Sequence, residues 1–121
     1  AGVRRILVVD DNRDAADMLA MLLAHAGHDV ATAYDGADAI GRSSTFRPDV
    51  VLMDIGMPGM NGYETARRLR QRDGAMRLVA LTGWGAEADR RRSIDAGFDA
   101  HLIKPASIEQ VTALLAEGSR S

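Results

Sequence analysis

Residues 48–54 read PDVVLMD: a proline, then a short run with β-branched residues, closing on an aspartate. RILVVD at 5–10 has the same form, and RLVALT (77–82) and DAHLIK (99–104) repeat it with Thr and Lys as the closing residues. Such runs read as strands, and the weaker DVATA (29–33) makes five of them. Helix-length stretches lie between. Asp14 to Ala26 carries a stripe of Ala15, Leu19, Leu22 and Ala26 and stops at Gly27. Gly36 to Ser44 is weaker, Tyr63 to Asp73 forms a third, and Ala86 to Ala96 a fourth with little besides Ile94 to anchor it. The last begins at Ser107, whose partner Gln110 completes a capping box, and is expected to bury Ile108, Val111, Leu114 and Leu115. Five βα units in succession predict an α/β fold, a doubly wound five-stranded parallel sheet with helices on both faces.

Composition bounds what such a sheet serves. A chain of 121 residues, 46% hydrophobic, is expected to form one domain over 1–121, with its core at about 4–116, burying roughly two-thirds of its unfolded surface. The absence of cysteine excludes a disulfide framework, a thiolate metal site and a thiol nucleophile, and is compatible with a reducing cytoplasm, the expected location. No apolar run reaches membrane-spanning length, since MLAMLLAHAG (18–27) follows Asp17 and ends at His25 and Gly27. No signal peptide is visible. A net charge of −2 gives no general attraction to nucleic acid. RRR (90–92) and RRLRQR (67–72) are read as solvated helix faces, and His25 and His28 as surface residues. Direct contact with nucleic acid or membrane is therefore not expected. The chain begins Ala-Gly without an initiator methionine, as a domain cut from a longer protein would.

In open α/β sheets, ligands bind beyond the carboxyl ends of the strands. At those ends stand Asp10 and Asp11, Asp54, Thr82 and Lys104. Carboxylates brought together repel, each close pair costing about 4 kcal/mol at ~4 Å and an effective dielectric near ~20. They call for a cation, and Mg²⁺ suits them: it takes oxygen ligands, keeps several waters and accepts one or two carboxylates plus a phosphate oxygen. Asn12 is expected to cap the first helix, which does not account for two aspartates before it. Asp54 is the candidate nucleophile, able to form an aspartyl phosphate. The charge on the transferring group would then be met by Mg²⁺, by Lys104, and by the Thr82 hydroxyl with nearby backbone amides. Lys104 is the only lysine among fifteen basic residues. A point charge on a flexible stem can reach both Asp54 and the phosphoryl oxygen, where a planar guanidinium fork cannot. Gly56 in DIGMPGMNG (54–62) lets the backbone approach closely, and Pro58, Gly59 and Gly62 read as a tight loop.

From about Arg4 to Ala116 the chain resembles the receiver domain of bacterial two-component response regulators. The resemblance rests on Asp10 and Asp11, on MDIGMPGMNG (53–62) with Asp54 as phosphoacceptor and proline four residues later, on Thr82 followed by Gly83, and on Lys104 before Pro105. It implies a flavodoxin-like strand order 2-1-3-4-5 and a cis bond before Pro105. It also implies Mg²⁺ held by Asp11, Asp54 and the Gly56 carbonyl, with Asp10 acting partly through water, and phosphate contacts from the backbone of Gly56 and Gly83. The function implied is a regulatory domain, not an enzyme, that assists its own phosphorylation from a histidine kinase or histidine phosphotransfer protein. Its output partner would bind the face made by segment 86–96, the fifth strand and the last helix. Where receivers carry Tyr or Phe three residues before the lysine, this chain has His101. The imidazole either moves with Thr82 as that ring does or is an exposed strand residue without a switching role. The chain is either a single-domain regulator or an excised receiver; TGWG…DRRR…AGFDAHLIKP most resembles receivers fused to hybrid sensor histidine kinases, so such a kinase is the favoured parent.

Two other classes compete for the same residues. A phosphatase or phosphotransferase of the haloacid dehalogenase kind needs a second acid two residues after its nucleophile, where this chain has Gly56. A flavin or nucleotide carrier needs a phosphate-binding loop after the first strand, and DDNRD (10–14) would repel phosphate there unless a metal intervened.

Overall fold

A computed structural model describes residues 4–55, 62–82, 94–103 and 107–115. The elements are β1 (Arg5–Val9), α1 (Arg13–His25), β2 (Asp29–Ala33), α2 (Gly36–Phe46), β3 (Val50–Asp54), α3 (Gly62–Arg72), β4 (Arg77–Thr82), β5 (Ala100–Ile103) and α4 (Ile108–Leu115). The five strands form one parallel sheet in the order β2-β1-β3-β4-β5, as expected.

Successive strand residues point to opposite faces, so the apolar runs divide between two cores. Leu7, Val9, Val51, Met53, Leu78 and Ala80 meet Ala39 of α2 and Ala66 and Leu69 of α3. Ile6, Val8, Val50, Leu52, Val79 and Leu81 meet Ala16 and Leu23 of α1 and Val111 and Leu115 of α4. Burial on both faces explains why the central strands β1, β3 and β4 are apolar without alternation. Each fully buried Leu or Val contributes about 1.5–3 kcal/mol.

The helix ends follow their sequence signals. Asn12 Oδ1 accepts the Ala15 N–H at 3.1 Å, and Asp35 Oδ1 accepts the Asp38 N–H at 2.7 Å. Ser107 and Gln110 exchange reciprocal side-chain-to-backbone bonds of 2.9 and 3.1 Å, the expected capping box. At the other end of α4, Arg4 and Arg77 donate to the carbonyls of Leu115 and Leu114.

Several expectations need correction. The inner stripe of α1 is Ala16, Leu19, Ala20 and Leu23, while Ala15 and Leu22 face solvent, Leu22 at 47% exposure. Nearly every position from 18 to 24 is apolar, so periodicity alone left the helix's rotation undetermined, and packing of Leu23 against the sheet fixes it. Ala26 caps α1 rather than belonging to it. α2 continues to Phe46 and ends at Arg47 in the left-handed conformation, φ 53°. Ile94 is 61% exposed, and among the described residues 94–98 the buried ones are Ala96 and Phe98. Of the expected helix 86–96, residues 94–96 are described and helical. In the 67–72 run, Arg67, Arg68 and Arg72 are solvated as expected, whereas Arg70 is not: its side chain is only 16% exposed, because backbone carbonyls and Asp99 surround it. His25 is exposed, and His28 is half-buried with Nδ1 accepting the Arg4 N–H.

Candidate functional site

The parallel sheet delivers its polar residues to one edge. Asp54 is the last residue of β3, Asp10 follows β1 directly, and these two strands are hydrogen-bonded neighbours. A carboxylate oxygen from each of Asp10, Asp11 and Asp54 lies within 4.8 Å of one from the other two. Asp10 is buried at 3% exposure, Asp54 is half-buried and Asp11 is exposed. The backbone orients Asp10 from two sides: its Oδ1 accepts the Asn12 N–H at 3.0 Å, and its N–H donates to the Ala33 carbonyl at 3.1 Å. The donor set is all hard oxygen, graded from buried to open, which fits a divalent cation that keeps water and a phosphate oxygen on its exposed side.

Thr82 ends β4 and is buried at 5% exposure. Asp54 pairs in register with Leu81, so Thr82 stands one residue beyond the phosphoacceptor candidate on the adjacent strand. His101 pairs with Ala80, placing it on the same sheet face as Thr82 one strand further out. It is half-buried rather than exposed, and its Nε2 is inaccessible. Gly56, Gly83, Lys104 and Pro105 lie outside the described residues, as do Pro58 and Gly59.

Gly62, read from sequence only as part of a tight loop, has a steric reason to be glycine. A Cβ there would lie 2.5 Å from the Ile55 Cα, and its N–H reaches the Ile55 carbonyl at 3.4 Å. The start of α3 therefore rests directly on the residue after Asp54. The sequence reading also missed Tyr34, which follows Ala33, and Arg13, three residues after Asp10. The Tyr34 hydroxyl donates to Asp17 at 2.6 Å, and the Arg13 guanidinium lies 4.5 Å from the Tyr34 ring centroid. An arginine at the first position of a helix, where acids are favoured, was the available signal.

Comparison with known proteins agrees with this layout. Residues 6–116 match the response regulator receiver domain family. The probable transcriptional regulatory protein TcrX of Mycobacterium tuberculosis is 39% identical over 106 residues, covering 88% of this chain and 45% of TcrX. The chain thus spans just under half of that relative. Among solved structures, chemotaxis protein CheY4 of Vibrio cholerae superposes with a TM-score of 0.89 at 27% identity, over 96% of this chain and 98% of CheY4. A CheY-like response regulator receiver domain protein from Methanospirillum hungatei gives 0.88 at 25% identity, over 96% and 93%.

Proposed function

The chain belongs to the response regulator receiver domain family, the phosphoacceptor switches of two-component signalling, and from that premise we propose that Asp54 takes a phosphoryl group from a phosphohistidine protein in a Mg²⁺-dependent reaction. The observation that carries this reading is the convergence of Asp10, Asp11 and Asp54 within 4.8 Å at adjacent strand ends. Asp10, Asp11, Asp54 and the Gly56 carbonyl would hold Mg²⁺, which when bound supplies positive charge to the phosphoryl oxygens. An Asp54 oxygen attacks phosphorus while the bond to the donor breaks, and the leaving group departs with the electron pair. Lys104 and the Thr82 hydroxyl, with the backbone of Gly56 and Gly83, meet the remaining oxygen charge.

The reading extends to the switch. Thr82 turns toward the new phosphoryl group, and half-buried His101, on the same sheet face, follows it. The output partner then senses the surface formed by segment 86–96, β5 and α4. Histidine kinases or phosphotransfer proteins are the upstream partners, the parent chain is a hybrid kinase, and the setting is cytoplasmic. No helix among the described residues is long and apolar enough to cross a membrane.

Incubation with acetyl phosphate and Mg²⁺ tests the chemistry. One phosphoryl mass is expected on Asp54, removed by EDTA pretreatment and absent in Asp54→Asn. Equal labelling of Asp54→Asn would overturn the assignment.

A further inference from the structure

The acid cluster does not stand alone at the rim. Asp14 and Asp17 lie in the first turns of α1, and Asp35 and Asp38 at the start of α2. Amid these carboxylates Arg13 occupies the first position of α1, where a cation opposes the positive end of the helix dipole. The Tyr34 ring offsets that disadvantage, because the guanidinium lies over its face 4.5 Å from the centroid. The ring is itself fixed. Its hydroxyl donates to Asp17 Oδ1 at 2.6 Å and accepts from Thr32 Oγ1 at 3.3 Å, and the Tyr34 N–H donates to Asp38 Oδ2 at 3.3 Å.

This assembly is joined to the cluster through the backbone. Tyr34 follows Ala33, whose carbonyl accepts the Asp10 N–H, and Arg13 is two residues from Asp11. Arg42 is paired with Asp38 at 3.6 Å, whereas among the described residues Arg13 forms no ion pair. Its charge is therefore not spent on a neighbouring carboxylate.

We propose that Arg13, carried on the Tyr34 ring, is a specificity-determining residue of the phosphotransfer site, drawing anionic phosphodonors to Asp54 and opposing cation binding at Asp10, Asp11 and Asp54. The proposal rests on the reading of Asp54 as phosphoacceptor. It has a signature that a purely structural role lacks: removing the charge moves cation affinity and donor capture in opposite directions.

The test uses Arg13→Gln, Tyr34→Leu and the double variant, with Mg²⁺ affinity from isothermal titration calorimetry and the rate of acetyl phosphate labelling at saturating Mg²⁺. At low ionic strength, Arg13→Gln is expected to bind Mg²⁺ about two- to threefold more tightly and to label about two- to threefold more slowly. Both differences should shrink in about 0.5 M salt. Tyr34→Leu should act in the same directions, and should add nothing once Arg13 is already Gln, as expected if the ring works through the guanidinium. Unchanged Mg²⁺ affinity in Arg13→Gln overturns the proposal. So does a fall in both quantities together, which distortion of the cluster would produce, or full additivity of the two substitutions. Absence of label on wild-type Asp54 is a different failure, since it overturns the phosphoacceptor reading itself.

Discussion

One guanidinium ties together three stretches of chain. Arg70 of α3 donates to the carbonyls of Gly74 and Met76, to Gly97 O at 2.7 Å and to Asp99 Oδ2 at 2.8 Å. Asp99 Oδ2 also accepts the Leu78 N–H at 2.9 Å, and the two charged side chains are only 16% and 17% exposed. The planar fork with its five donors suits this arrangement, and a lysine could not span it. Truncation takes the charged donor from the Asp99 carboxylate, which keeps the Leu78 N–H, and from the carbonyls of Gly74, Met76 and Gly97. Arg70→Met is expected to cost about 2–3 kcal/mol in urea unfolding. Arg67→Met, on the exposed face of the same helix, should stay within about 0.5 kcal/mol. Equal costs for the two would mean that the clamp contributes nothing. In sequence both residues are simply members of RRLRQR, because what separates them is Asp99, nearly thirty residues away.

At the level of elements, α3 meets the end of β3 through a missing side chain. A Cβ on Gly62 would press on backbone at Ile55, which cannot yield without moving the residue next to Asp54. Gly62→Ala is therefore expected to destabilise by about 1–3 kcal/mol and to weaken Mg²⁺ binding. Gly41→Ala, in α2 with open space around the new Cβ, should instead stabilise by about 0.5–1 kcal/mol. Thermal melting of the two variants checks the opposite signs. The strands were legible because their closing residues and buried runs are local signals, and the Asn12 and Ser107 caps were legible for the same reason. The inward face of α1 was not, since Leu22 and Leu23 are equally apolar and only tertiary packing chooses between them. The rim residues Asp10, Asp11, Asp54 and Thr82 were found because a parallel sheet brings strand ends together, whereas Arg70 and Tyr34 depend on side-chain partners from other elements.

At the scale of the whole molecule, the two ends of the sheet treat their carboxylates differently. Among the described residues, Asp10, Asp11 and Asp54 crowd together where strands finish, whereas where strands begin Arg4, Arg5 and Arg77 bind helix carbonyls and Asp29 and Asp99 are paired with arginines. Crowded acids destabilise the metal-free fold, so Asp11→Asn without Mg²⁺ should melt higher than wild type, by roughly 2–5 °C for a gain of about 1 kcal/mol. Saturating Mg²⁺ should reverse the ranking, because ligand at about 100 times its dissociation constant adds about 2.7 kcal/mol to the fold that binds it. A ranking unchanged by Mg²⁺ would mean that Asp11 is not a ligand. The arginine grip on α4 reaches further. With Leu114 held by Arg77, which opens β4, and Leu115 by Arg4, just before β1, the last turn of α4 sits at the edge of the sheet where strands begin, a strand's length of about 17 Å from the edge that carries Asp54. On the proposed function, a phosphoryl group on Asp54 would act on the end of α4 only through the strands and helices between them, as a rod passes on a push.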